Sequence, residues 1–144
     1  MARWIALDWG ARRTGLAVSD ALGMIATPLD TVDTVELMGG LARLVAEEPC
    51  AGIVLGEPAP GSDSSAGVAA AREAIQRAFP ALPIHCIDEG STSWEARQAL
   101  VAGGMPKHKR EQKGATDRVA AALILQRFLD GERSGGLPPM RRRR

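Results

Sequence analysis

The stretch that decides the fold is Trp4-Ile5-Ala6-Leu7-Asp8-Trp9-Gly10-Ala11-Arg12-Arg13-Thr14-Gly15-Leu16-Ala17-Val18-Ser19-Asp20. Two short apolar runs flank a turn with a glycine on either side, which predicts adjacent strands of one hairpin over about 3–8 and 14–20. Asp8 closes the first run. A carboxylate on an inner strand is costly unless it is paired, hydrogen-bonded or bound to a cation. The rest of the chain has to supply that compensation.

Outward from the hairpin, Ala26-Thr27-Pro28-Leu29-Asp30-Thr31-Val32 reads as a third strand. Leu37, Leu41, Leu44 and Val45 then recur at helical spacing, predicting a helix over about 34–48 with Thr34 as its N-cap. Gly52-Ile53-Val54-Leu55-Gly56 is a continuous apolar run, typical of a strand covered on both faces. A Gly-, Pro- and Ser-rich loop over 57–65 leads into a helix ending near Phe79, and Ile84-His85-Cys86-Ile87-Asp88 is the next strand. Helices follow over about 93–102 and 116–130, separated by the basic loop Lys107-His108-Lys109-Arg110-Glu111-Gln112-Lys113. Three strands followed by alternating helix and strand give an α/β domain with a mixed sheet of about five strands, antiparallel first and parallel afterwards. Residues 1–130 form one domain in this reading, and 131–144 a mobile Gly-, Pro- and Arg-rich tail.

Composition narrows the function classes. With 144 residues, 24% charged and 45% hydrophobic, the chain is long enough for one real core and is not of disordered composition. Cys50 and Cys86 match no zinc spacing and read as buried free thiols. No apolar stretch reaches the roughly 20 residues of a membrane span, and the first strand leaves no room for a targeting segment, so a cytoplasmic protein is expected. Removing the +4 of Arg141 to Arg144 from the net charge of +1 leaves −3 for the remainder. Positive charge is therefore local: the tail, the 107–113 loop and the Arg12-Arg13 pair. Such patches suit phosphate-backbone contacts.

Three acidic positions fall at element ends. Asp8 ends the first strand, Asp88-Glu89 follows the strand 84–87, and Asp117 begins the last helix. Asp117, Ala120, Ala121 and Ile124 share a helical stripe that is small and apolar, so the acid faces the sheet. Functional groups of α/β sheets collect at the carboxyl ends of strands. Acids meeting there repel one another unless a cation is present, and hard ions such as Mg²⁺ or Mn²⁺ suit an all-oxygen site.

The same residues carry a family resemblance. Asp8-x-Gly10-x-Arg12-Arg13-Thr14-Gly15-x-Ala17-Val18-Ser19-Asp20 resembles the opening motif of the YqgF (RuvX) family of Holliday-junction-resolvase-like nucleases. Gly56-Glu57-Pro58 with its loop, Asp88-Glu89-Gly90-Ser91-Thr92-Ser93 with Glu95-Ala96, and Lys113-Gly114-x-x-Asp117-x-x-Ala120-Ala121 through Gln126 resemble its later motifs, in order, over about residues 3–130. The resemblance implies an RNase H-like fold and a divalent-metal nuclease, with Asp8, Glu89 and Asp117 as catalytic acids and metal ligands. It implies two ions about 3.5–4 Å apart, bridged by Asp8. Arg12, Arg13, Lys107, Lys109, Arg110, Lys113 and Arg118 are the expected nucleic-acid contacts. Precursor 16S rRNA, matured at its 5′ end, is the implied substrate, and branched DNA the alternative; the chain acts as a monomer or weak homodimer. Two departures stand out. Gly90-Ser91 replaces the usual Arg-Leu, and Glu57 replaces a usual Leu; Glu57 is expected to be a loop acid, a further acid of the site being the alternative.

Two other readings compete. A nucleic-acid-binding module without catalysis is favoured by Gly90 and opposed by the three acids. An Asp-x-Gly hairpin also opens sugar-kinase and actin-like folds, but those need two lobes around the nucleotide, and 144 residues leave no room for them. Trp9 reads as core packing, and His85 and His108 are given no role.

Overall fold

A computed structural model describes residues 2–58, 61–62, 64–88 and 115–133, the side chains of 115, 116, 132 and 133 excepted. The predicted helix over 93–102, the 107–113 loop, Glu89 and the tail beyond 133 lie outside the described residues. The elements are β1 (Arg3–Asp8), β2 (Arg13–Ser19), β3 (Ala26–Asp33), a 3₁₀ turn (Thr34–Glu36), α1 (Leu37–Glu47), β4 (Cys50–Glu57), α2 (Ser65–Ala78), β5 (Ile84–Asp88) and α3 (Ala115–Arg133). The five strands lie in the order β3-β2-β1-β4-β5. β1 runs antiparallel to β2 and parallel to β4, and β4 runs parallel to β5. The expected mixed sheet is borne out.

Strand alternation sorts the side chains onto two faces. Ile5, Leu7, Leu16, Ile53, Leu55 and Cys86 pack with Leu37 and Leu41 of α1 and Ile75 of α2. Ala6, Ala17, Val54 and Ile87 meet Ala121, Leu125 and Phe128 of α3 on the other face. The small residues Ala6 and Ala17 let α3 lie close to the strands. At its far end Phe128 is wrapped by Trp4, with ring centroids 4.7 Å apart, and by His85 at 5.2 Å. Phe128 is fully buried, so Phe128→Ala should cost about 3–5 kcal/mol in a urea titration. A loss below about 1 kcal/mol would show that this cluster does not hold α3 down.

Three local expectations need correction. Thr34 does not cap a helix: its hydroxyl donates to the Gly10 carbonyl at 2.6 Å and meets the Thr14 hydroxyl at 2.9 Å. The chain there forms a 3₁₀ turn, and the α-helix begins at Leu37. The long-range bonds to the β1–β2 turn outcompete the local cap. β4 starts at Cys50, two residues earlier than predicted, and α3 continues to Arg133. Cys50 is half-buried and Cys86 buried, both free thiols as expected; burial pushes the Cys50 thiol pKa up.

The β2–β3 turn is built from within. The Asp20 carboxylate accepts the backbone N–H of Met24 at 2.8 Å and of Ile25 at 2.9 Å, which lowers its pKa. Gln126 of α3 clamps the same turn, accepting from Ala26 N–H at 2.9 Å and donating to the Met24 carbonyl at 3.1 Å. β3 is the outer strand on this side, largely exposed, and carries Pro28, Asp30 and Asp33.

Candidate active site

β1, β4 and β5 run in one direction, so Asp8, Glu57 and Asp88 stand at one carboxyl edge of the sheet. The edge brings the acids level, and alternation then separates them. Asp8 is two residues from Ala6 and so belongs to the α3 face. Glu57 follows Leu55, and Asp88 follows Cys86, on the opposite face. Glu57 and Asp88 are neighbours in register, and together with Pro58, Ser65, Val68, Ala69, Arg72 and Cys86 they line a cleft of about 400 Å³ against α2. The extra acid at 57 thus stands with Asp88 beside Arg72, not with Asp8.

Asp117 is delivered to Asp8 by contact between backbones. Gly15 is the register partner of Asp8, and the first turn of α3 rests directly on it. A Cβ at residue 15 would run into the Asp117 carbonyl and, 2.7 Å away, the Arg118 nitrogen. Asp117 therefore sits over the strand next to Asp8, on the face that Asp8 shares. Gly10 is also a close-approach residue, because a Cβ there would lie 2.5 Å from the Arg13 carbonyl. Neither glycine has a positive φ. Their function is to let backbone approach backbone, not to supply an unusual turn conformation.

Behind Asp8, Trp9 packs its ring over Gly67 of α2, where a Cβ would collide with it. Trp9 belongs to the α1/α2 core, as expected. The end of β1 is thus pinned from both sides, by α3 across Gly15 and by α2 beneath Trp9. At the end of β5, Arg127 of α3 donates to the Asp88 carbonyl at 2.8 Å.

One of the basic residues expected to contact nucleic acid makes an ion pair within the described structure. Arg13 shares the α3 face with Gly15 and Ala17, and its Nε donates to Asp117 Oδ2 at 3.1 Å. Both side chains are about one-third exposed. Arg12, one residue earlier, is exposed in the turn, and Arg118 is half-buried in the first turn of α3. Lys107, Lys109, Arg110 and Lys113 lie outside the described residues, as does Glu89. Among the described residues, no three metal-ligating side chains converge. Of the candidate acids, the described residues include Asp8 and, on the same face of the sheet, Asp117 with Arg13 on its carboxylate. The arginine places a cation against one carboxylate oxygen of this face; carboxylate donors such as Asp8 and Asp117 are of the type that suits a hard divalent ion.

Comparison with known proteins supplies a family and a fold. A family model described as "RuvX: Holliday junction resolvase" matches residues 2–131. A Bacteroides thetaiotaomicron protein named "Putative pre-16S rRNA nuclease" is 36% identical over 137 residues, covering 92% of this chain and 99% of the relative. A Porphyromonas gingivalis protein of the same name is 39% identical over 134 residues, covering 90% and 97%. Among solved structures, T. thermophilus RuvC in complex with a Holliday junction substrate superposes with a TM-score of 0.63 at 17% identity, over 94% of this chain and 97% of that one. Fowlpox virus resolvase with Holliday junction DNA gives 0.59 at 10% identity, over 90% and 98%. At such identities the structures establish a shared fold.

Proposed function

This chain belongs to the RuvX family, and on that premise we propose that it is a divalent-metal-dependent endonuclease that matures the 5′ end of precursor 16S rRNA. The observation that supports the reading is the seating of α3's first turn, which carries Asp117, on Gly15, the register partner of Asp8. Asp8, Glu89 and Asp117 would hold Mg²⁺ or Mn²⁺, and the bound ions would activate water and stabilise the leaving oxygen of an in-line phosphodiester hydrolysis. β1 and α3 fix two of these carboxylates before substrate arrives, so little reorganisation is left for the reaction itself.

Arg12, Arg118, Lys107, Lys109, Arg110 and Lys113 would grip the nucleic-acid backbone, giving affinity that falls steeply with salt. Residues 1–133, to the end of α3, would constitute the nuclease domain, and the residues beyond it a basic appendage. The protein works in the cytoplasm as a monomer or weak homodimer; among the described residues, no helix is long and apolar enough to cross a membrane.

The description of the matching family favours a second reading, resolution of branched DNA. Side-by-side assays of a precursor 16S leader transcript and a four-way DNA junction separate the two, each with Mg²⁺, Mn²⁺ or chelator. The transcript should be cut in either metal and left whole in chelator. Cleavage of the junction alone would transfer the assignment to branched DNA, and cleavage in chelator would overturn the metal reading.

A further inference from the structure

We propose that Arg13 is a positioning residue that acts as a built-in counter-ion: it holds Asp117 in place while the site is empty of metal and yields the carboxylate when a divalent ion binds. The pair then sets the affinity of the site for its metal. This inference rests on the metal site proposed above.

The placement is specific. Arg13 and Asp117 are 104 residues apart in sequence, yet the guanidinium Nε lies 3.1 Å from Asp117 Oδ2. Arg13 stands two residues before Gly15, the point where the backbone of Asp117 touches the sheet. The strand that seats the helix therefore also carries the cation for its first acid. That placement puts a positive charge beside Asp117 where the first turn of α3 rests on β2.

The contact is also built to be given up. Among the described residues it is made through Nε alone, without the bidentate fork that makes arginine–carboxylate pairs strong. Both partners are about one-third exposed, and ion pairs of that kind contribute little. A divalent ion brings twice the charge to about 2.1 Å from a carboxylate oxygen, against a single charge at 3.1 Å for Arg13. With twice the charge at shorter range, a bound ion would attract the carboxylate more strongly than Arg13 does, a margin lowered by the ion's loss of hydration. The guanidinium would then be released at the edge where a phosphate backbone would lie, reconciling its place in the structure with its expected nucleic-acid contact.

Titration of the full-length protein with Mn²⁺ alone, without nucleic acid, tests this by calorimetry or by loss of the free-ion EPR signal. Arg13→Gln should bind Mn²⁺ roughly two- to fivefold more tightly than the parent, the range set by a partly exposed ion pair. Arg13→Lys should return the affinity toward the parent value. A merely structural arginine predicts weaker binding on removal, so equal or weaker binding by Arg13→Gln overturns the proposal. Asp8→Asn separates this failure from that of the site itself. Parent binding that Asp8→Asn abolishes upholds the site whatever Arg13→Gln does. No binding by the parent overturns both.

Discussion

Asp8→Asn should abolish metal-dependent cleavage while leaving the fold intact. Metal ions contribute several kcal/mol of transition-state stabilisation, and about 4 kcal/mol corresponds to roughly a thousandfold in rate. Asp8 is the carboxylate nearest the centre of the sheet, fixed by β1, by its pairing to Gly15 and by Trp9 against α2. Asparagine keeps its shape and removes the charge. Stability without metal should change little, because the substitution is isosteric and lies at the end of a strand. A single-turnover assay with saturating Mn²⁺, run beside a thermal melt, checks both expectations. Activity within tenfold of the parent would remove Asp8 from the site.

Gly15→Ala is expected to do comparable harm from a position that touches no substrate. The added methyl meets backbone atoms of Asp117 and Arg118, and these cannot swing aside as a side chain could. The start of α3 must lift from β2. Overpacking of this kind costs about 1–3 kcal/mol of stability, and a displacement near 1 Å costs about a hundredfold in rate. Urea titration and initial-rate measurements on the variant give the two numbers. The diagnostic is their combination: the rate should collapse even where the protein remains fully folded. A folded Gly15→Ala protein of normal activity would show that the contact between α3 and β2 is not what places Asp117.

Much of this was legible in the sequence, for identifiable reasons. Asp8 stood out because it closes an apolar run, and Asp117 because Ala120, Ala121 and Ile124 share its stripe; all three are buried against the sheet. The RNase H-like fold implied by the motifs is borne out by the strand order and by the likeness to RuvC. The side on which Glu57 falls was not legible. β4 is buried on both faces from Gly52 to Gly56, so its hydrophobic pattern carries no alternation from which to read a direction. Thr34 was misread for a different reason: a cap is a local signal, and its partners Gly10 and Thr14 are brought in only by the fold. The Arg13–Asp117 pair was not legible, because the carboxylate lies more than a hundred residues downstream.

The outer strand limits how the molecule can associate. Extending the sheet by a second copy across β3 would place Pro28, which has no N–H to donate, and the charges of Asp30 and Asp33 in the new ladder. Side-by-side growth into ribbons is blocked at this edge, so a pair of molecules has to meet through some other surface.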